Sequence, residues 1–165
     1  DHCSSEDVIK LSKSDTIIVT VPDCQSKLAV TFNKIKNLKL VEPGTILNIG
    51  QIKIEAVPAY NITGKFHRKE NDWVGFVLTV DNKRIYHAGD TDLIPEMSNL
   101  KDIDIALLPV GGTYTMDAEQ AAKAASIIKP KIAIPMHYGN AVGTEKDAET
   151  FKSLAKCEVR VLKVE

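Results

Sequence analysis

With 165 residues, 44% hydrophobic and 26% charged, the chain has material for one compact domain, expected to span residues 1–165, and is not a disordered polymer. Its 21 basic and 22 acidic residues give a formal charge of -1, which argues against binding nucleic acid mainly by counterion release, although a locally basic groove stays open. No apolar run approaches the ~20 residues that cross a membrane, and Cys3, Cys24 and Cys157 are too irregular for a disulfide framework or a zinc finger, so a reducing, cytoplasmic compartment is expected.

The N-terminus carries no secretory-signal pattern and opens on Asp1-His2 without Met, as if cut from a longer polypeptide. Ser4 and Ser5 followed by Glu6 and Asp7 predict a helix start, because acidic residues favour the first turn. The β-branched run Thr16–Val21 predicts a strand that Pro22 closes. A second helix is expected over roughly Asp23–Ile35, with Leu28, Phe32 and Ile35 on one side. From Leu38 to Ala59 the pattern turns to β, broken by Glu42-Pro43-Gly44. Residues 60–72 read as a long polar loop, and long loops in compact domains are often functional. Trp73–Val80 and Arg84–Ala88 predict a hairpin around Asp81-Asn82-Lys83. Beyond it come a strand at Ile103–Val110, a helix at Asp117–Ile128, a strand at Lys131–Met136, a helix near Lys146–Ala155 and a strand near Glu158–Val164. Asp117 with Gln120 predicts a capping box. A β-rich first half followed by βαβαβ implies the α/β class, with sheets covered by helices.

Three short polar segments follow this pattern: Asp1-His2 before the first helix, His87-Ala88-Gly89-Asp90-Thr91-Asp92 after one strand, and Pro135-Met136-His137-Tyr138-Gly139 after another. Imidazole and carboxylate are the usual ligands of a catalytic zinc. Singly each segment reads as an ordinary turn; their shared position at strand ends makes them a candidate ligand set. Gly111-Gly112 before a helix reads as a tight turn, with an anion cradle as the other reading. His87 is expected to be packed or to support the ligands from behind, and Cys3 to be a small buried filler, with a place near the ligands as the other reading.

In this order the segments resemble the metallo-β-lactamase superfamily, whose hallmark is His-x-His-x-Asp-His followed by separate His, Asp and His ligands. Asp1-His2 is similar to the second half of the hallmark, Ile85–Thr91 to the turn with the bridging Asp, and Ile134–Gly139 to the segment with the last His. Leu108–Asp117 is similar to the ascorbate-phosphate lactonase-like branch. The resemblance implies an αββα sandwich lacking its N-terminal strands. It implies Asp1, His2 and His137 on one metal and Asp90 bridging two. His67 is the candidate for the first metal's third His; the alternative is a solvated histidine within Lys65-Phe66-His67-Arg68-Lys69.

The first two histidines of the hallmark are missing, so the ligand set is incomplete as it stands. The implied cofactors are two Zn2+, with Mn2+ or Fe also suited. The implied reaction is hydrolysis of an ester, lactone or phosphodiester by a metal-bound hydroxide, with Asp1 orienting the water or accepting its proton. Tyr114, Thr115 and Tyr138 are the candidate contacts to a small-molecule substrate, and Thr91 and Asp92 are the candidates to orient the ligands by hydrogen bonds. The competing expectation is a non-catalytic metal-binding or interaction domain that keeps the fold. Oligomeric state is not encoded in any of these features.

Overall fold

A computed structural model describes every residue except 1, 30–36, 65, 141 and 163–165. The chain divides into two compact units, residues 1–42 and 43–165. In the first, α1 (Ser5–Leu11) starts as expected, the Ser4 hydroxyl accepting the Asp7 N–H at 3.3 Å. Strands β1 (Ile17–Thr20) and β2 (Asn37–Leu40) pair in parallel. The helix expected from Asp23 takes the form of a 3-10 turn at Pro22–Cys24 and α2 at Gln25–Leu28; most of its remainder lies outside the described residues. Cys3 is half-buried, and burial followed by its hydrogen bond with Cys24 raises its thiol pKa.

The second unit is built on one seven-stranded sheet whose strands lie side by side in chain order. These are β3 (Ile46–Ile49), β4 (Ile52–Pro58), β5 (Val74–Val80), β6 (Lys83–His87), β7 (Ile105–Pro109), β8 (Ile132–Met136) and β9 (Glu158–Val159). Pairing is antiparallel from β3 to β6 and parallel from β6 to β9. The β5–β6 hairpin turns through Asp81 (φ 47°) and Asn82 (φ 58°), as a two-residue turn matched to strand twist requires. Parallel strands need crossovers, which α3 (Ala118–Ile128) supplies between β7 and β8 and α4 (Glu145–Leu154) between β8 and β9.

Helix α3 begins on the expected capping box: the Asp117 carboxylate accepts the Gln120 N–H at 2.8 Å, and the Gln120 amide oxygen accepts the Asp117 N–H at 3.1 Å. Its buried face is Ala118, Ala121, Ala122, Ala124, Ala125 and Ile128, small enough for a close approach to its neighbours. Phe151 of α4 is fully buried in the same core, with Tyr86 and Leu108 from the sheet. Removing a fully buried ring leaves a cavity. Phe151→Ala is therefore expected to lower unfolding free energy by about 3–5 kcal/mol in urea titration.

Asp104 ties three strands together at the end where β7 starts. Its Oδ2 accepts the Arg84 N–H at 2.8 Å and its Oδ1 accepts Lys131 Nζ at 2.7 Å, while its backbone carbonyl accepts the Ile132 N–H at 2.9 Å. The Lys131 hydrogen bond, then that from Arg84, holds the Asp104 carboxyl below its ordinary pKa. A depressed folded-state pKa stabilises the fold above the unfolded-state value and the effect is lost as pH falls through the folded one. Asp104→Asn should lower the thermal midpoint at pH 7, and the deficit should shrink as pH drops below about 4.

Candidate metal centre

Strand β6 ends at His87, and Gly89, at φ 67°, turns the chain so that Asp90 follows directly. Strand β8 ends at Met136, and His137 follows it with φ 59°. His67 comes from the 60–72 loop, which bends back on itself: the Asn61 N–H donates to the His67 carbonyl at 2.7 Å. The loop is also tied down by Lys69, whose Nζ lies 2.8 Å from Glu96 Oε1 and 4.9 Å from the centre of the Tyr60 ring. Tyr60 in turn donates to Glu96 Oε2 at 2.9 Å. Burial raises the Glu96 carboxyl, but hydrogen bonds from Lys69, its own backbone and Tyr60 outweigh it and hold the pKa below the ordinary value.

These three routes bring together two imidazoles and a carboxylate. Asp90 Oδ2 lies 3.8 Å from His67 Nε2 and 3.5 Å from His137 Nε2. Both distances exceed the roughly 2.7–2.9 Å of a direct charge-assisted hydrogen bond. They are close to the roughly 3.3–3.5 Å between ligands that each sit about 2.0–2.2 Å from one tetrahedral ion. Donor chemistry and spacing both fit a divalent metal. His67 is buried, whereas Asp90 and His137 are half-buried, so the group is shielded yet reachable.

The tautomer of His67 follows from its neighbour. Its Nδ1 lies 3.3 Å from the Tyr114 carbonyl oxygen, which can only accept, so Nδ1 carries the proton and Nε2 presents its lone pair toward Asp90. The same carbonyl accepts the Asn61 Nδ2 amide at 2.9 Å. His67 and Tyr114, at φ 51° and 60°, both hold the left-handed backbone that costs a non-glycine residue about 1 kcal/mol or more.

Other residues singled out in the sequence fall around this group. Tyr114 is exposed and stands edge-on to exposed Phe66, with ring centres 5.0 Å apart. Thr115 is buried, its hydroxyl donating to the Met116 carbonyl at 3.3 Å. Tyr138 is half-buried against the core, and burial, then Glu145 and Glu149, raises its hydroxyl pKa. Thr91 is fully buried and donates to the Tyr60 carbonyl, and Asp92 accepts the Ile62 N–H at 2.8 Å and the Asn61 amide at 3.0 Å. His87 differs from expectation: it is exposed, and its Nδ1 accepts the Gly89 N–H at 3.2 Å. In the first unit His2 is exposed just ahead of α1, and Asp1 lies outside the described residues.

Two residues at this edge have roles that local pattern does not reveal. Asn61 has its partners far along the chain. Gly111 packs so tightly on the His137 carbonyl that a Cβ there would overlap it, and Gly143 would place a Cβ 2.7 Å from Gly111 Cα. Gly111→Ala should therefore displace His137 and cost more than the roughly 1 kcal/mol expected for Gly50→Ala, which has an unfavourable φ of 59° but open space; thermal unfolding of both variants tests the order.

With the fold and this geometry in place, the chain belongs to the beta-lactamase superfamily: the profile of the Beta-lactamase superfamily domain matches residues 1–137. A UPF0173 metal-dependent hydrolase of Thermococcus onnurineus is 40% identical over 118 residues, covering 68% of this chain and 53% of that protein. Another, from Thermoplasma acidophilum, is 37% identical over 160 residues, covering 94% of this chain and 68% of the relative. The chain thus spans about half to two thirds of the length of these curated relatives. The crystal structure of a metal-dependent hydrolase candidate from Parabacteroides distasonis superposes with a TM-score of 0.84 at 40% identity, over 99% of this chain and 72% of that one. The mixed α/β architecture is therefore the metallo-β-lactamase fold, as the sequence resemblance implies. Among the described residues no helix is long and apolar enough to cross a membrane.

Proposed function

We propose that His67, Asp90 and His137 form part of the metal site of a hydrolase that cleaves an ester, lactone or phosphodiester bond in a small-molecule substrate. The observation that carries this reading is the approach of two imidazole Nε2 atoms to one carboxylate oxygen at 3.5 and 3.8 Å. Membership of a family whose relatives bear the name metal-dependent hydrolase supports it. Zinc suits this donor set best, with manganese and iron next, and Asp90 is the ligand we assign to bridge two ions. Asp1 and His2 as further ligands, and Asp1 as proton acceptor, are supported by the sequence resemblance. A reducing compartment is supported by the odd number and irregular spacing of the three cysteines.

A divalent metal held there would lower the pKa of a water toward neutrality and polarise the bond under attack. The chain's own residues set the conditions for this. Asp90 supplies negative charge from a strand-end turn, and the His67–Tyr114 hydrogen bond keeps one nitrogen free of its proton. Exposed Tyr114 and Phe66 offer an aromatic rim for the substrate, and Thr115 and Tyr138 flank the strand ends behind it.

Zinc content of the purified chain and its Asp90→Ala variant tests the reading, alongside hydrolysis of p-nitrophenyl acetate, a chromogenic lactone and bis(p-nitrophenyl) phosphate. Asp90→Ala is expected to lose bound zinc at least about tenfold, and activity with it. Retention of both in the variant would falsify the assignment. Zinc binding with no turnover of any of the three substrates would favour the non-catalytic domain.

A further inference from the structure

We infer that Asn61 is a positioning residue for His67, acting through the main-chain carbonyl of Tyr114. The inference rests on the metal-site reading above, but its geometry stands by itself. The Asn61 side-chain amide touches two groups that only accept hydrogen bonds: Asp92 Oδ1 at 3.0 Å and the Tyr114 carbonyl at 2.9 Å. That settles which way the amide faces, because only its nitrogen can serve both. Asp92 is itself held by the Ile62 N–H on its other oxygen, at 2.8 Å, so the Asn61 amide is clamped from one side and delivers its second proton to Tyr114.

The Tyr114 carbonyl has two lone pairs, and the second receives His67 Nδ1–H at 3.3 Å. The chain of contacts Asp92–Asn61–Tyr114–His67 thus ends on the nitrogen opposite the one facing Asp90. A hydrogen bond on one ring nitrogen sets the tautomer and aim of the other. The main chain closes the same circuit, since the Asn61 N–H donates to the His67 carbonyl at 2.7 Å. Gly64 makes room for it: a Cβ there would sit 3.0 Å from Asn61 Cβ and 3.2 Å from Asn61 Oδ1. Asn61 is itself 7% exposed, too buried for its amide to be a solvated loop ornament.

Two variants of the whole chain separate positioning from mere support. Asn61→Asp keeps the shape and removes both donated protons. The double exchange Asn61→Asp with Asp92→Asn restores a hydrogen bond between positions 61 and 92 but still gives the Tyr114 carbonyl no donor from position 61. The readouts are the 15N shifts of the His67 imidazole in metal-free protein near pH 8, assigned by their loss in His67→Gln, and the affinity for Zn2+ by competition with a chromophoric chelator.

Wild type should show Nδ1 protonated. Asn61→Asp should shift His67 toward the other tautomer and weaken zinc about 10–100-fold. The double exchange should recover the thermal midpoint without recovering either readout. Unchanged tautomer and zinc affinity in Asn61→Asp, or recovery of both in the double exchange, overturns the inference. A wild-type chain that binds no zinc, together with a tautomer shift in Asn61→Asp, supports the positioning and overturns the metal reading.

Discussion

Parallel pairing of β6, β7 and β8 obliges their C-terminal ends to share one edge of the sheet. Three of the four contributors to the candidate centre depend on that constraint. Asp90 follows β6, the Tyr114 turn follows β7 and His137 follows β8, so three segments far apart in the chain arrive side by side without any side chain having to direct them. Rigid strands set position, and the residues just beyond them are free to take unusual backbone conformations. His137 and Tyr114 both do so, each at a positive φ.

The fourth contributor, His67, has no strand to place it. Its loop is fixed by a different device, a set of polar ties: Lys69 and Tyr60 onto Glu96, and Asn61 onto Asp92 and Tyr114. Ties of this kind resist less than a packed core does, because loop segments open locally at lower free energy. The opposite end of the sheet is tied by a single carboxylate. There Asp104 joins β6, β7 and β8 through side-chain and main-chain hydrogen bonds and is placed to keep their starts in register.

Short-range features of this architecture are legible in the sequence. The Asp117 and Gln120 capping box is an i, i+3 event, and the Asp81-Asn82 hairpin turn is local, so residue types alone announce them. Strands β5 to β8 fall within about two residues of their expected ends, as boundary fraying allows, whereas β9, expected near Glu158–Val164, pairs only at Glu158–Val159. Asp90 and His137 stand out because they follow apolar runs. What is not legible is contact across the chain. Asn61 reads as an ordinary loop residue, yet its amide reaches partners 31 and 53 positions away. His87 lies on a strand, and the period-2 pattern does not say that its face is exposed. Likewise Gly111 looks like half of a glycine turn, and nothing local tells that its missing side chain is where another main chain passes.

That passage makes positions 111, 137 and 143 one unit of molecular volume rather than three independent sites. Space for a side chain at Gly111 exists only if the main chain at the strand-end histidine withdraws, and a side chain at Gly143 would in turn run into Gly111. Variation at this edge is consequently correlated. A side chain at Gly111 is thus excluded by main chain, whereas the rings of Phe66 and Tyr114 are exposed and meet each other edge-on.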